Sequence, residues 1–159
     1  MSHVRGEYEG FKALAPDVYE TVLTLSHAAG KAGLDKQLLE LLKIRASQIN
    51  GCAFCVQYHI LQSERLGMPA DKINLVAVWR EAPIFSSRER AALGWTEALT
   101  FLPDGVSDDV YAEASREFSE KELMYLTSAV ASINVWKRFG VAYGWVPAAR
   151  QGNAGAVAS

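Results

Sequence analysis

The sequence predicts an all-α protein, on three observations. No segment alternates apolar and polar residues at period two over five or more positions. Glycine and proline instead divide the chain into blocks whose apolar residues recur at helical spacing. Several blocks also open on a capping residue, such as Asp35 before Lys36 or Ser119 three positions ahead of Glu122.

Taken in order, residues 1–15 are weakly patterned and read as an N-terminal arm that docks on the body or on a neighbouring subunit. Pro16 opens the first clear helix, with Val18, Val22 and Leu25 at helical spacing and Gly30 and Gly33 at its end. Asp35 caps a second helix, from Lys36 to about Gln48. Leu38, Leu39, Leu41, Leu42 and Ile44 make it apolar around much of its circumference, which places it in the middle of a bundle. Glu40 interrupts that run, either on a narrow wet side or as a buried carboxylate with a partner. Gln48-Ile-Asn-Gly51 breaks the chain, and a third helix runs from about Gly51 to Leu66, with Gly67 as its terminator.

Pro69 and Asp71 start a helix over 70–80 with Ile73, Val76, Ala77 and Trp79 inward. Ser87-Arg-Glu-Arg90 resembles a capping box with its acid one position early, ahead of a helix to Leu102. Pro103-Asp-Gly105 reads as a turn, Asp108 to Phe118 as a short helix, and Glu120 to about Phe139 as a long one. The body is thus a single domain over 16–147, and the Gly/Ala/Ser tail at 148–159 is expected to be flexible. Ser47-Gln-Ile-Asn50 is weakly echoed by Ala131-Ser-Ile-Asn134, each preceded by a leucine-containing helix.

Composition narrows the function classes. The 159 residues are 50% apolar and 21% charged, an ordinary globular balance able to bury a core without staples. A net charge of -2 gives no reason to expect nucleic acid or an anionic membrane as partner. No apolar run approaches the ~20 residues of a membrane-spanning helix. Met1 to Glu7 lacks the basic-then-apolar order of a signal peptide, so a cytoplasmic, reducing compartment is expected. Four Trp, six Tyr and six Phe are many for such a chain; Trp79, Trp95 and Trp136 either sit at subunit contacts or fill the core.

The chemistry concentrates in Cys52-Ala-Phe-Cys55, which holds the only two cysteines and is followed by His59. At about 100° per residue, positions 52, 55, 56 and 59 share one helical stripe. Helix geometry puts the α-carbons of 52 and 55 about 5 Å apart, within reach of a disulfide. Residues 55 and 59 come about 6 Å apart and 52 and 59 roughly 10 Å, so the imidazole reaches Cys55 and not Cys52. Cys55 therefore has a base to lower its pKa, and Cys52 has the first-turn amides. A redox dithiol, two small buried hydrophobes and a zinc site all remain open on the cysteine pattern alone. Zinc would crowd three ligands onto two turns of one helix, and Val56 after the second cysteine excludes c-type haem attachment. His3 and His27 read as structural. Nothing resembles a flavin or nicotinamide site, so no cofactor is expected and electrons come from outside.

Glu40, eleven residues, Cys52-x-x-Cys55, three residues and His59 together resemble the signature of the AhpD-like alkylhydroperoxidases, within the carboxymuconolactone decarboxylase superfamily. Leu39 to Asn50, Gly67, Phe118-Ser-x-x-Glu-Leu123 and Ile133-Asn-x-Trp136-x-Arg138 extend the resemblance over roughly residues 16 to 145. It implies a helical subunit in a ring-like homotrimer or homohexamer. It implies a peroxide substrate, a peroxidatic Cys55, a resolving Cys52, a Glu40–His59 proton relay, and an external dithiol or protein thiol as reductant. Two positions depart from the pattern. Phe54 stands where a second histidine precedes the second cysteine, implying weaker peroxidase activity or another substrate, and Lys137 stands where Asn is common. A redox-sensing oligomer and a decarboxylase-like enzyme are the alternatives.

Overall fold

The computed structural model describes residues 5–147, and every regular element among them is helical. In order these are α1 (Tyr8–Leu14), α2 (Pro16–Lys31), α3 (Lys36–Ile49), α4 (Ala53–Arg65), α5 (Ala70–Leu75), α6 (Ser87–Thr100), α7 (Asp108–Glu117) and α8 (Glu120–Tyr143). None of the helices is long and apolar enough to cross a membrane. His3 and the expected flexible tail at 148–159 lie outside the described residues.

The leucine-rich α3 is the axis, packed against α4, α6 and α8, while α2 lies along α8 and α7 along α6. Leu38, Leu39, Leu41, Leu42 and Ile44 are all buried, so α3 has almost no wet side. Each such side chain contributes about 1.5–3 kcal/mol relative to exposure, which fixes the helix on which Glu40 stands. Asp35 caps α3 by accepting the Leu38 amide at 2.7 Å. A second anchor joins α3 to α6: the buried Glu97 carboxylate accepts from Arg45, Trp79 and Arg80 at 2.6–2.9 Å. Asn50 and Asn134, which close the two echoed motifs, meet through a side-chain hydrogen bond of 2.9 Å.

Several elements differ from the sequence expectation. A helix, α1, forms in the N-terminal arm, where burial of Phe11 against Phe139 (ring centroids 4.4 Å apart) substitutes for a local pattern. The inward stripe of α2 is rotated by one residue: Tyr19, Val22 and Ala29 are buried, while Val18 and Leu25 are exposed. The helix at 70–80 is α5 followed by a 3-10 turn at Val76–Val78. Three residues per turn keep Val76 and Trp79 on one buried face and rotate Ala77 outward. The cap of α6 is Ser86, not Ser87; its hydroxyl accepts from the Glu89 amide and the Glu89 carboxylate accepts from the Ser86 amide, so the acid is in register. Residues Leu102–Asp104 form a separate 3-10 turn, and α8 continues four residues beyond Phe139 before Gly144 ends it in the left-handed region. Trp79 and Trp95 are core residues, and Trp136 donates to Ser26 at 2.8 Å inside an aromatic cluster.

Candidate active site

Gly51, at φ +62°, turns the chain sharply out of α3, and α4 starts at Ala53. Cys52 is consequently the N-cap of α4 rather than part of its first turn, and its sulfur accepts the Cys55 amide at 3.3 Å. A disulfide joins Cys52 and Cys55, whose α-carbons are 5.3 Å apart. Both are buried between α4 and α8. Gly140 of α8 makes room here, since a Cβ at that position would stand 3.8 Å from the Cys52 sulfur and 3.4 Å from the Trp145 ring.

One turn beyond Cys55, His59 is buried and its Nδ1 lies 2.7 Å from Glu40 Oε2. The other carboxylate oxygen, Oε1, accepts from Lys43 Nζ at 2.9 Å. Burial works against the Glu40 charge, but the His59 hydrogen bond and the charges of His59 and Lys43 outweigh it and hold the carboxyl below its ordinary value. Burial likewise pushes the His59 imidazole down, opposed only in part by Glu40. The pair near neutral pH is therefore an ionised carboxylate and a neutral imidazole. An acceptor-only carboxylate requires Nδ1 to carry the proton, which leaves Nε2 as a base.

His59, Glu40, Lys43 and Cys55 line one cavity of about 180 Å³. Aromatic rings form much of the remaining wall: Tyr8 from α1, Phe54 and Tyr58 from α4, Trp136 from α8, and Trp145 beyond it. Phe54 lies 5.6 Å from the Tyr8 ring and 5.5 Å from Trp145, so the position expected to lack a proton carrier is part of an apolar cluster. In this disulfide form, no hydrogen bond among the described residues joins His59 to either sulfur. No group of three or more His, Cys, Asp and Glu side chains among those residues is placed to hold a metal ion.

Residues 16–98 match the profile of the carboxymuconolactone decarboxylase family. The chain belongs to that family. Its AhpD-like character is supported by a crystal structure from Agrobacterium tumefaciens, of a protein of unknown function described as a putative antioxidant defence protein AhpD. That structure is 34% identical, superposes with a TM-score of 0.86, and is matched over 93% of this chain and 100% of its own. The uncharacterized protein YdfG of Bacillus subtilis (strain 168) is 30% identical over 132 residues, covering 82% of this chain and 90% of YdfG. The debrominase Bmp8 has the same fold at 18% identity and a TM-score of 0.77, over 84% of this chain and 73% of Bmp8.

The structure of this carboxymuconolactone decarboxylase family member brings Cys52, Cys55, His59 and Glu40 together. It decides the alternative left open for Glu40, which is buried with two partners. Among the other lining residues, His27 and Lys43 bring nitrogen bases or cations that the sequence did not assign to the site. His27 joins the wall from α2, a placement no neighbouring acid or thiol in the sequence signals. Lys43, three positions after Glu40 and so on the same helical face, carried that spacing as its only signal.

The electrostatics predict a pH dependence of stability. His59 in the fold holds its proton less tightly than at its ordinary value of 6.5, and Glu40 less tightly than at 4.5. The unfolded chain therefore binds more protons in both windows, and stability rises with pH through each. Melting of the oxidised protein is expected to hold constant above pH 6.5, as far as this pair is concerned. It should begin to fall below that value and fall further below 4.5. A His59→Gln variant should lose the first of these two declines.

Proposed function

We propose that the protein is a thiol-dependent peroxidase that reduces organic hydroperoxides at the Cys52–Cys55 dithiol. The observation that carries this reading is the Cys52–Cys55 disulfide, whose Cys55 lines a cavity together with His59 and the Glu40 that lies 2.7 Å from its Nδ1. In the reduced protein, Nε2 of His59 accepts the Cys55 proton, and the thiolate attacks the terminal peroxide oxygen. The sulfur–oxygen bond forms as the oxygen–oxygen bond breaks, and the leaving alkoxide takes the proton back from His59 to depart as an alcohol. Cys55 is left as a sulfenic acid. The Cys52 sulfur then attacks it, forming the disulfide and releasing water. An external dithiol, small or borne on a protein, restores both thiols by exchange and supplies the two electrons.

The aromatic walls favour a hydroperoxide with a hydrocarbon body over hydrogen peroxide, because Phe54, Tyr58, Trp136 and Trp145 offer contact area that the smaller molecule cannot fill. Exposed apolar side chains, including Leu14 and Met124 at 89% and 75%, fit assembly into the ring-like homotrimer or homohexamer. The test is peroxide consumption with a supplied dithiol. Turnover is expected with an aromatic or branched alkyl hydroperoxide, at least about tenfold faster than with hydrogen peroxide at equal concentration, a modest difference of about 1.4 kcal/mol. A dithiol that oxidises once and never turns over would instead assign a sensing role, and activity surviving loss of both cysteines a decarboxylase-like one.

A further inference from the structure

The Glu40–His59 pair is part of a longer chain. Glu40 is buried, and each of its oxygens has its own partner: Oε2 meets His59 at 2.7 Å and Oε1 accepts from Lys43 at 2.9 Å. The Lys43 ammonium is itself largely covered, its side chain 12% exposed, and Glu40 is the acid with which it pairs. A largely covered lysine held three positions from a buried glutamate, on the wall of the dithiol cavity, is costly for the fold unless the two charges offset each other.

We propose that Lys43 is a positioning residue of this site. Its ammonium holds one oxygen of Glu40 and balances that charge, so the other oxygen orients a neutral His59 instead of drawing a second proton onto it. This inference rests on the reading of His59 as the base for Cys55. A lone buried carboxylate beside an imidazole favours the carboxylate–imidazolium pair, and an imidazolium cannot take the thiol proton. With Lys43 present, the carboxylate is already balanced, and burial leaves the imidazole neutral; the positive charge of Lys43 acts on His59 in the same direction. The groups facing His59 are few. Glu40 and Lys43 come from α3, and Tyr58 (ring centroids 5.1 Å apart) and Cys55 from α4. Tyr8 of α1 and His27 of α2 stand on the same cavity wall, and α8 presents only Ser132, Ile133 and Trp136 there, which carry no acid or base.

The oxidised protein gives a clean readout, because the cysteines do not titrate in the disulfide. The imidazole titration of His59 is followed by NMR, assigned by its loss in His59→Gln. Lys43→Gln is expected to raise the His59 pKa by about one unit, from loss of one nearby charge in a partly screened site. Lys43→Met, which keeps the apolar stem, should do the same if the Gln variant folds poorly, and Lys43→Arg should restore the wild-type titration. A His59 titration unchanged in Lys43→Gln and Lys43→Met, or raised equally in Lys43→Arg, overturns the proposal. Absence of peroxide turnover would defeat the peroxidase reading while leaving this titration result intact, so the two failures are distinguishable.

Discussion

Cys55→Ser is expected to eliminate catalytic peroxide reduction, with a loss of about 10³-fold or more, because the remaining thiol, Cys52, has no resolving partner and lies out of reach of the imidazole. Cys52→Ser should behave differently. Its Cys55 still has the imidazole one turn away, so it should react with one equivalent of peroxide and then stop as a sulfenic acid that a dimedone-type reagent traps. Serine replaces sulfur with a slightly smaller atom at two buried positions, so neither variant is expected to disturb the fold seriously. Pre-steady-state peroxide consumption, paired with mass spectrometry of the trapped product, separates the two roles. Equal behaviour of the two variants would remove the asymmetry that the N-cap position of Cys52 and the spacing of Cys55 from His59 imply.

His59→Gln is expected to give the next largest effect, slowing oxidation of the dithiol by about 10²–10³-fold, the usual contribution of a positioned general base. The rate of alkylation against pH should then follow a thiol near the ordinary pKa of about 8.5. Glu40→Gln keeps the shape of the side chain but replaces an acceptor-only carboxylate with an amide that can face Nδ1 through either its oxygen or its NH2, so the tautomer is no longer fixed, and it leaves the covered Lys43 ammonium without its acid. A smaller kinetic loss together with a lower melting temperature is therefore expected for that variant. Alkylation curves identical to wild type in both variants would show that the imidazole does not serve the thiol.

The part of the site that lies on one helix was legible in the sequence, because the Cys-x-x-Cys-x-x-x-His spacing converts directly into distance; the expected separation of about 5 Å between the cysteine α-carbons is close to the observed 5.3 Å. Glu40 entered through resemblance to a family, since its contact with His59 spans two helices and no local rule connects them. Lys43 was passed over because a lysine in a leucine-rich helix reads equally well as the wet side. The helical class, the caps at Asp35 and Ser119, and the central position of α3 followed from local chemistry and were found in place. Misreadings occurred where tertiary packing decides. Docking of Phe11 makes a helix in a weakly patterned arm, and the choice of Tyr19 over Val18 sets the phase of α2. The tightening at Val76–Val78 serves the burial of Trp79, whose indole is needed by Glu97.

In the proposed reaction the dithiol is the reducing group, with Cys55 oxidised first and Cys52 closing the disulfide. It is tested most directly by adding an aromatic hydroperoxide to the fully reduced protein under rapid mixing. Two thiols should be lost per peroxide consumed, with one equivalent of alcohol formed and a Cys52–Cys55 disulfide within one chain, at a rate well above that of a free thiol. Oxidation no faster than that of a free thiol, or two thiols retained after the peroxide is gone, would contradict it.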